Sequence, residues 1–99
     1  MSNKEKYTAI HELDRKLTEL GISHEIHEFY DGYQVCVPEN YRLNNFEGDA
    51  VQHKFSYGSK NNLLEVFGFG MDEPAGCLTV DEALKYFIKW HEKKAAGVQ

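Results

Sequence analysis

The run His24-Glu25-Ile26-His27-Glu28 places two imidazoles and two carboxylates within five residues. These are the side chains that ligate zinc and move protons. A zinc-binding helix of the H-E-x-x-H type needs histidines four apart, so that both share a face. Here the spacing is three and the neighbours alternate as in a strand, so His24 and His27 point to opposite faces. No metal and no cofactor is expected. His11 and His91 each precede a glutamate in a helical stretch, with no second ligand nearby in sequence. Cys36 and Cys77 stand alone without CxxC spacing, which predicts two reduced thiols. Cys36 falls opposite His27 in the hairpin register derived below, as a thiolate nucleophile and its base would. Nothing in sequence supplies the oxyanion hole or the orienting third group. Glu65 lies among apolar neighbours, which suits either a carboxylate of raised pKa or the partner of a Lys or Tyr on an adjacent strand. Gly68-Phe69-Gly70 begins like a dinucleotide loop, but Glu73 occupies the third glycine position and no βαβ unit surrounds it. No catalytic constellation emerges, and the chain is not expected to be an enzyme.

The elements that would position these groups follow from periodicity and punctuation. Ser2-Asn3-Lys4-Glu5 fits a capping box for a helix over about 4–20. Its stripe is the Lys6 stem, Ile10, Leu13, Leu17 and Leu20, spaced three and four apart. Gly21 suits the left-handed position that stops a helix, letting Ile22 fold back on Leu17. Asp31-Gly32 between strand-like runs is a hairpin signal. It predicts Tyr30 opposite Tyr33, Glu28 opposite Val35 and Ile26 opposite Val37. One face then carries Ile26, Tyr30, Tyr33, Val35 and Val37, and the other His27, Phe29, Gln34 and Cys36. Pro38, lacking an N–H, ends the second strand.

A second hairpin is predicted over 51–70, with strands at about 51–57 and 63–70 around the turn Ser59-Lys60-Asn61-Asn62. The stretches 39–49 and 71–78 read as loops, the latter because of Pro74 and Gly76. Thr79-Val80-Asp81-Glu82 is a second capping box, opening a helix to about Lys94. Its inner face is Val80, Ala83, Leu84, Phe87, Ile88 and His91, with Tyr86 and Trp90 on the shoulder.

The whole is expected to be one domain over 1–99, frayed at 1–3 and 95–99. Its class is α+β, a four-stranded antiparallel sheet flanked by an N-terminal and a C-terminal helix, both on one face. The other face would then show Phe29, Cys36, Leu63, Phe67 and Phe69, too much apolar surface to leave wet. Residues 39–49 are too polar to cover it, so a homodimer through this face is expected. An alternative binding site is a cleft among Tyr57, Phe69, Tyr86 and Trp90, suited to a small molecule or nucleotide.

The net charge of −5 disfavours nonspecific binding to nucleic acid or an anionic membrane. Double-stranded RNA-binding domains share the helix–strands–helix order, but they place basic residues where Thr79, Asp81 and Glu82 stand here. No apolar run approaches the roughly 20 residues of a membrane span, and the first residues lack the apolar core of a signal peptide. A cytoplasmic location is expected. Ser56-Tyr57-Gly58, Leu63-Leu64-Glu65-Val66 with Gly68, and Leu78-Thr79 with Glu82 together resemble small uncharacterised proteins encoded in phages and prophages of Gram-positive bacteria. The resemblance covers about the last half of the chain and brings no catalytic residues. It implies a small accessory protein that binds a host or phage component.

Overall fold

A computed structural model describes residues 6–38 and 47–97. The elements are α1 (Thr8–Glu19), β1 (Glu25–Phe29), β2 (Gly32–Val37), β3 (Gly48–Gln52), a 3-10 turn (Ser59–Asn61), β4 (Leu64–Gly68), β5 (Ala75–Leu78) and α2 (Val80–Ala95). The strands form one antiparallel sheet in chain order. The α+β class holds, with five strands among the described residues rather than the expected four. Both helices lie on one face, where Ile10, Leu13, Leu17, Ala83 and Phe87 bury themselves against Val35, Val37, Ala50, Leu64 and Val66. Each large side chain withdrawn from water there stabilises by about 1.5–3 kcal/mol. Among the described residues no helix is long and apolar enough to cross a membrane.

The helix ends combine local and remote signals. Gly21 adopts φ +73, and the N–H groups of Gly21 and Ile22 return to the carbonyls of Thr18 and Leu17, closing α1 as its sequence predicts. Leu20 is 53% exposed, however, so it leaves the expected stripe and Ala9 takes a place in the core. The capping box expected at residues 2–5 lies outside the described residues, as do 1–3 and 98–99 of the ends 1–3 and 95–99 that were expected to fray. At the N-terminus of α1, Tyr7 offers no side-chain cap. Two distant amides supply it instead. Asn62 Oδ1 accepts from Ala9 N–H and Gln52 Oε1 from Ile10 N–H, both at 3.0 Å. α2 opens on the predicted box: Thr79 Oγ1 accepts from Glu82 N–H, and Glu82 Oε1 accepts from Thr79 N–H.

Three strand assignments need correction. In the first hairpin, Tyr30 (φ +47) and Asp31 (φ +62) form the turn, and Gly32 is the first residue of β2. Phe29 pairs with Gly32, Ile26 with Val35 and Glu25 with Cys36. Gly32 is required by closeness, since a Cβ there would lie 2.1 Å from Gln52 O and 2.6 Å from His53 Cα. The register moves by two residues, so the side chains within the strands keep their predicted faces, whereas Tyr30, expected beside Ile26 and Tyr33, becomes a turn residue and meets Phe29 and His53 instead. Cys36 nevertheless stands opposite Glu25, and His27 opposite Gln34.

β3 ends at Gln52, well short of the predicted Tyr57. Beyond it, His53 N–H donates to Ser56 Oγ, and the Ser56 N–H and hydroxyl both donate to His53 O, forming a side-chain-locked turn. The face that Val51, His53, Phe55 and Tyr57 would share on a continuous strand over 51–57 therefore does not form.

β5 occupies a stretch expected to be loop. As an edge strand it tolerates Pro74 at its start. Its register against β4 shifts between Leu64↔Leu78 and Val66↔Ala75, with Cys77 at φ +56.

Candidate functional site

The sheet face away from the helices is more polar than its sequence suggests. Its cross-strand rows are Glu25, Cys36, Asp49, Phe67 and His27, Gln34, Val51, Glu65, with Phe29 beside Gly32 at the end. Phe29, Cys36 and Phe67 lie on it as expected, and Phe67 is well exposed. Phe69 and Leu63 do not share it. Phe69 packs against Phe87 on the helix side, with ring centroids 5.1 Å apart. Leu63 precedes β4 and borders a shallow depression with Ala9, Lys16 and Val80. The five residues expected to form one apolar face are thus divided: Phe69 leaves it because the chain turns over at Gly68 (φ +92) and Phe69 (φ +53), and Leu63 lies before β4, next to the left-handed Asn62 (φ +58).

A hydrogen-bonded chain crosses this face. His27 Nε2 and Gln34 Oε1 are 2.7 Å apart, and Gln34 Nε2 donates to Asp49 Oδ2 at 2.6 Å. Burial pushes the Asp49 carboxyl up to about 6, against the hydrogen bond from Gln34. Cys36 lies buried between Glu25 and Asp49, and burial, reinforced by those carboxylates, pushes its thiol up to about 12. A thiol so held is protonated near neutrality and a poor nucleophile. Glu65 accepts from Tyr57 N–H at 2.9 Å, so its partner is backbone rather than the expected Lys or Tyr side chain. His24 bridges Asp14 Oδ1 (2.5 Å) and Ile22 O (2.7 Å), tying the loop after α1 to the helix. Among the described residues no group of three His, Cys, Asp or Glu converges as a metal site would.

The expected ligand cleft is partly assembled. Phe69, Tyr86 and Trp90 meet at a cleft of about 450 Å³, whose edge carries Lys89 and Lys93. Trp90 Nε1–H donates to Glu47 Oε1 at 3.2 Å, and Lys94 pairs with the same oxygen at 3.0 Å. The Lys94 ammonium, followed by the indole N–H, holds the Glu47 carboxyl below its ordinary value. Tyr57 is absent from this cleft. It is 68% exposed, beside Gly76 and Glu65.

A third feature escaped the sequence reading. Phe29, Tyr30, His53 and Phe55 gather where the β1–β2 turn meets the turn after β3. The Phe29–Tyr30 centroids are 4.6 Å apart, Phe29–His53 and Tyr30–His53 5.5 Å, and Tyr30–Phe55 6.0 Å. Tyr30 is 61% exposed and Phe55 68%. Lys54 pairs with Asp31 at 3.0 Å and stitches the two turns together. Phe55 N–H donates to His53 Nδ1 at 3.0 Å, which fixes the base of the cluster. Only Gly32, lacking a Cβ, lets Phe29 and His53 approach across β2. The available signal was the aromatic residue immediately before Asp31-Gly32, together with the alternating run at 53–57. Compared with known proteins, the chain matches no protein-family model, no curated protein and no solved structure.

Proposed function

We propose that this chain is a small, non-enzymatic accessory protein that binds another protein through the aromatic cluster of Phe29, Tyr30, His53 and Phe55. The observation that carries this reading is the exposure of Tyr30 and Phe55 on a braced base of two turns. Large aromatics in fixed rotamers dominate protein interfaces because they bury much area for little lost entropy. Exposed rings in contact with each other also exceed what an isolated surface residue would present. The partner suited to them offers an apolar pocket that takes the two rings. The resemblance to phage and prophage accessory proteins makes a host or phage component in the cytoplasm the partner class.

The test compares the tagged wild-type chain with the double variant Tyr30→Ser/Phe55→Ser. Recovery from the native host, quantified by mass spectrometry, is expected to yield a partner that the variant loses while keeping its melting temperature. A partner retained by the variant would refute the reading. Sedimentation of both proteins at tens of micromolar covers self-association. A dimer abolished by the double variant would make the partner a second copy of the chain. A dimer lost only with Phe67→Asp would return the interface to the sheet face.

A further inference from the structure

The cleft beside α2 combines two features, positive charge and an aromatic wall. The first is charge. Lys85, Lys89 and Lys93 stand four residues apart along α2, and like charges at that spacing weaken a helix. The helix dipole favours Lys93 in the last turn but gives little to Lys85 and Lys89 further in. Among the described residues Lys89 and Lys93 form no ion pair, whereas the adjacent Lys94 is paired with Glu47. Two unneutralised ammonium groups at one cleft stand out in a chain of net charge −5.

The second feature is the aromatic wall. Phe69 holds φ +53, a region that costs a residue with a side chain, secured by its N–H donating to Glu47 O at 2.7 Å. Its ring covers Gly48, where a Cβ would lie 2.3 Å from the ring atoms. The Phe69 and Tyr86 rings lie within 22° of parallel with centroids 6.5 Å apart, and Trp90 closes the side at 6.4 Å from Phe69. The volume of about 450 Å³ falls in the range of small-ligand sites, roughly 300–1,000 Å³.

We propose that this cleft binds a small planar molecule carrying a phosphate, of nucleoside-monophosphate size. Its ring lies against Trp90, Phe69 and Tyr86, and its phosphate meets Lys89 and Lys93. Aromatic faces accept any base by stacking, and lysines recognise phosphate as point charges. Glu47 also lines the cleft, its charge offset by Lys94 and its Oε1 taken by the Trp90 indole. The site lies at the opposite end of β3 from the aromatic cluster and stands independently of that docking reading.

Trp90 is the only tryptophan, so its fluorescence reports on the cleft directly. The full chain is titrated with the adenosine, guanosine, cytidine and uridine monophosphates, with adenosine and with inorganic phosphate. At least one monophosphate is expected to quench Trp90 saturably below millimolar concentration. Adenosine and phosphate alone should bind about tenfold or more weakly, as should the monophosphate to Lys89→Ala/Lys93→Ala. Both lysines are exposed, so this variant is expected to melt as wild type. The proposal is overturned if no monophosphate quenches saturably, if adenosine binds as tightly as its monophosphate, or if the double variant binds unchanged.

Discussion

The side-chain carbonyl of Gln52 accepts the backbone N–H of Ile10 across 42 residues of sequence, at 3.0 Å and fully buried. Gln52 Nε2 in turn donates to Asn62 Oδ1, which also takes Ala9 N–H. The first turn of α1 is thus closed by residues from the end of β3 and the turn before β4. Gln52→Leu keeps the volume but orphans a buried N–H, and should cost about 1–3 kcal/mol. Asn62→Gly keeps the left-handed backbone but loses the cap on Ala9, the acceptor for Gln52 Nε2 and the bond to Thr8 Oγ1, at about 1–3 kcal/mol. Urea unfolding measures both, and faster amide exchange at Ile10 or Ala9 identifies the cause.

Asp49 sets a pH dependence. Its folded value of about 6 lies above its ordinary 3.8, so the folded state binds the proton more tightly than the unfolded chain. Its contribution is present in full below about 4 and is lost as pH rises through about 6. Asp49→Asn should therefore raise stability at pH 8 by about 1–3 kcal/mol. At pH 4 the two proteins should converge. His27, Glu25, Cys36 and Glu65 face the same site, so the comparison is made between variant and wild type at each pH. An Asp49→Asn protein less stable than wild type at pH 8 would contradict the burial argument.

The two thiols should differ sharply in reactivity. Cys77 is exposed, whereas Cys36 is buried and pushed up to about 12. A thiol-specific reagent at pH 8 should label one cysteine quickly and the second only on denaturation. Cys77→Ser should remove the fast phase.

Gly32 and Gly70 separate two reasons for glycine. A Cβ on Gly32 would collide with the backbone of Gln52 and His53. Gly32→Ala should cost about 3 kcal/mol or more, or fail to fold. A Cβ on Gly70 meets nothing within 4 Å, but φ is +79, so Gly70→Ala should cost about 1 kcal/mol. Thermal melts rank the two.

What could be read in the sequence was local. Thr79 with Glu82, Gly21 with Ile22 and the alternation at 33–37 act over a few residues, and each appears where its chemistry predicts. The first-hairpin register was decided elsewhere, by the approach of His53 to Gly32. β3 was misplaced because side-chain bonds between His53 and Ser56 outcompete a strand that the alternation favours. β5 was missed because Pro74 and Gly76 read as breakers, while a short edge strand with an irregular register tolerates both. Tyr86 and Trp90 were identified from their helical spacing. Phe69 is expected both with them and on the sheet face, and the left-handed turn that places it in the cleft carries no clear side-chain signal.

The ends of the sheet bear on what the molecule avoids. Among the described residues β1 and β5 are each paired on one side only. β1 has five residues and carries Glu25, His27 and Glu28 along that border, and β5 has four residues, an irregular register and a preceding proline. Neither offers a long, flat template on which another chain could add a strand. Strand addition, the first step of open-ended growth into cross-β fibrils, is therefore disfavoured at both borders.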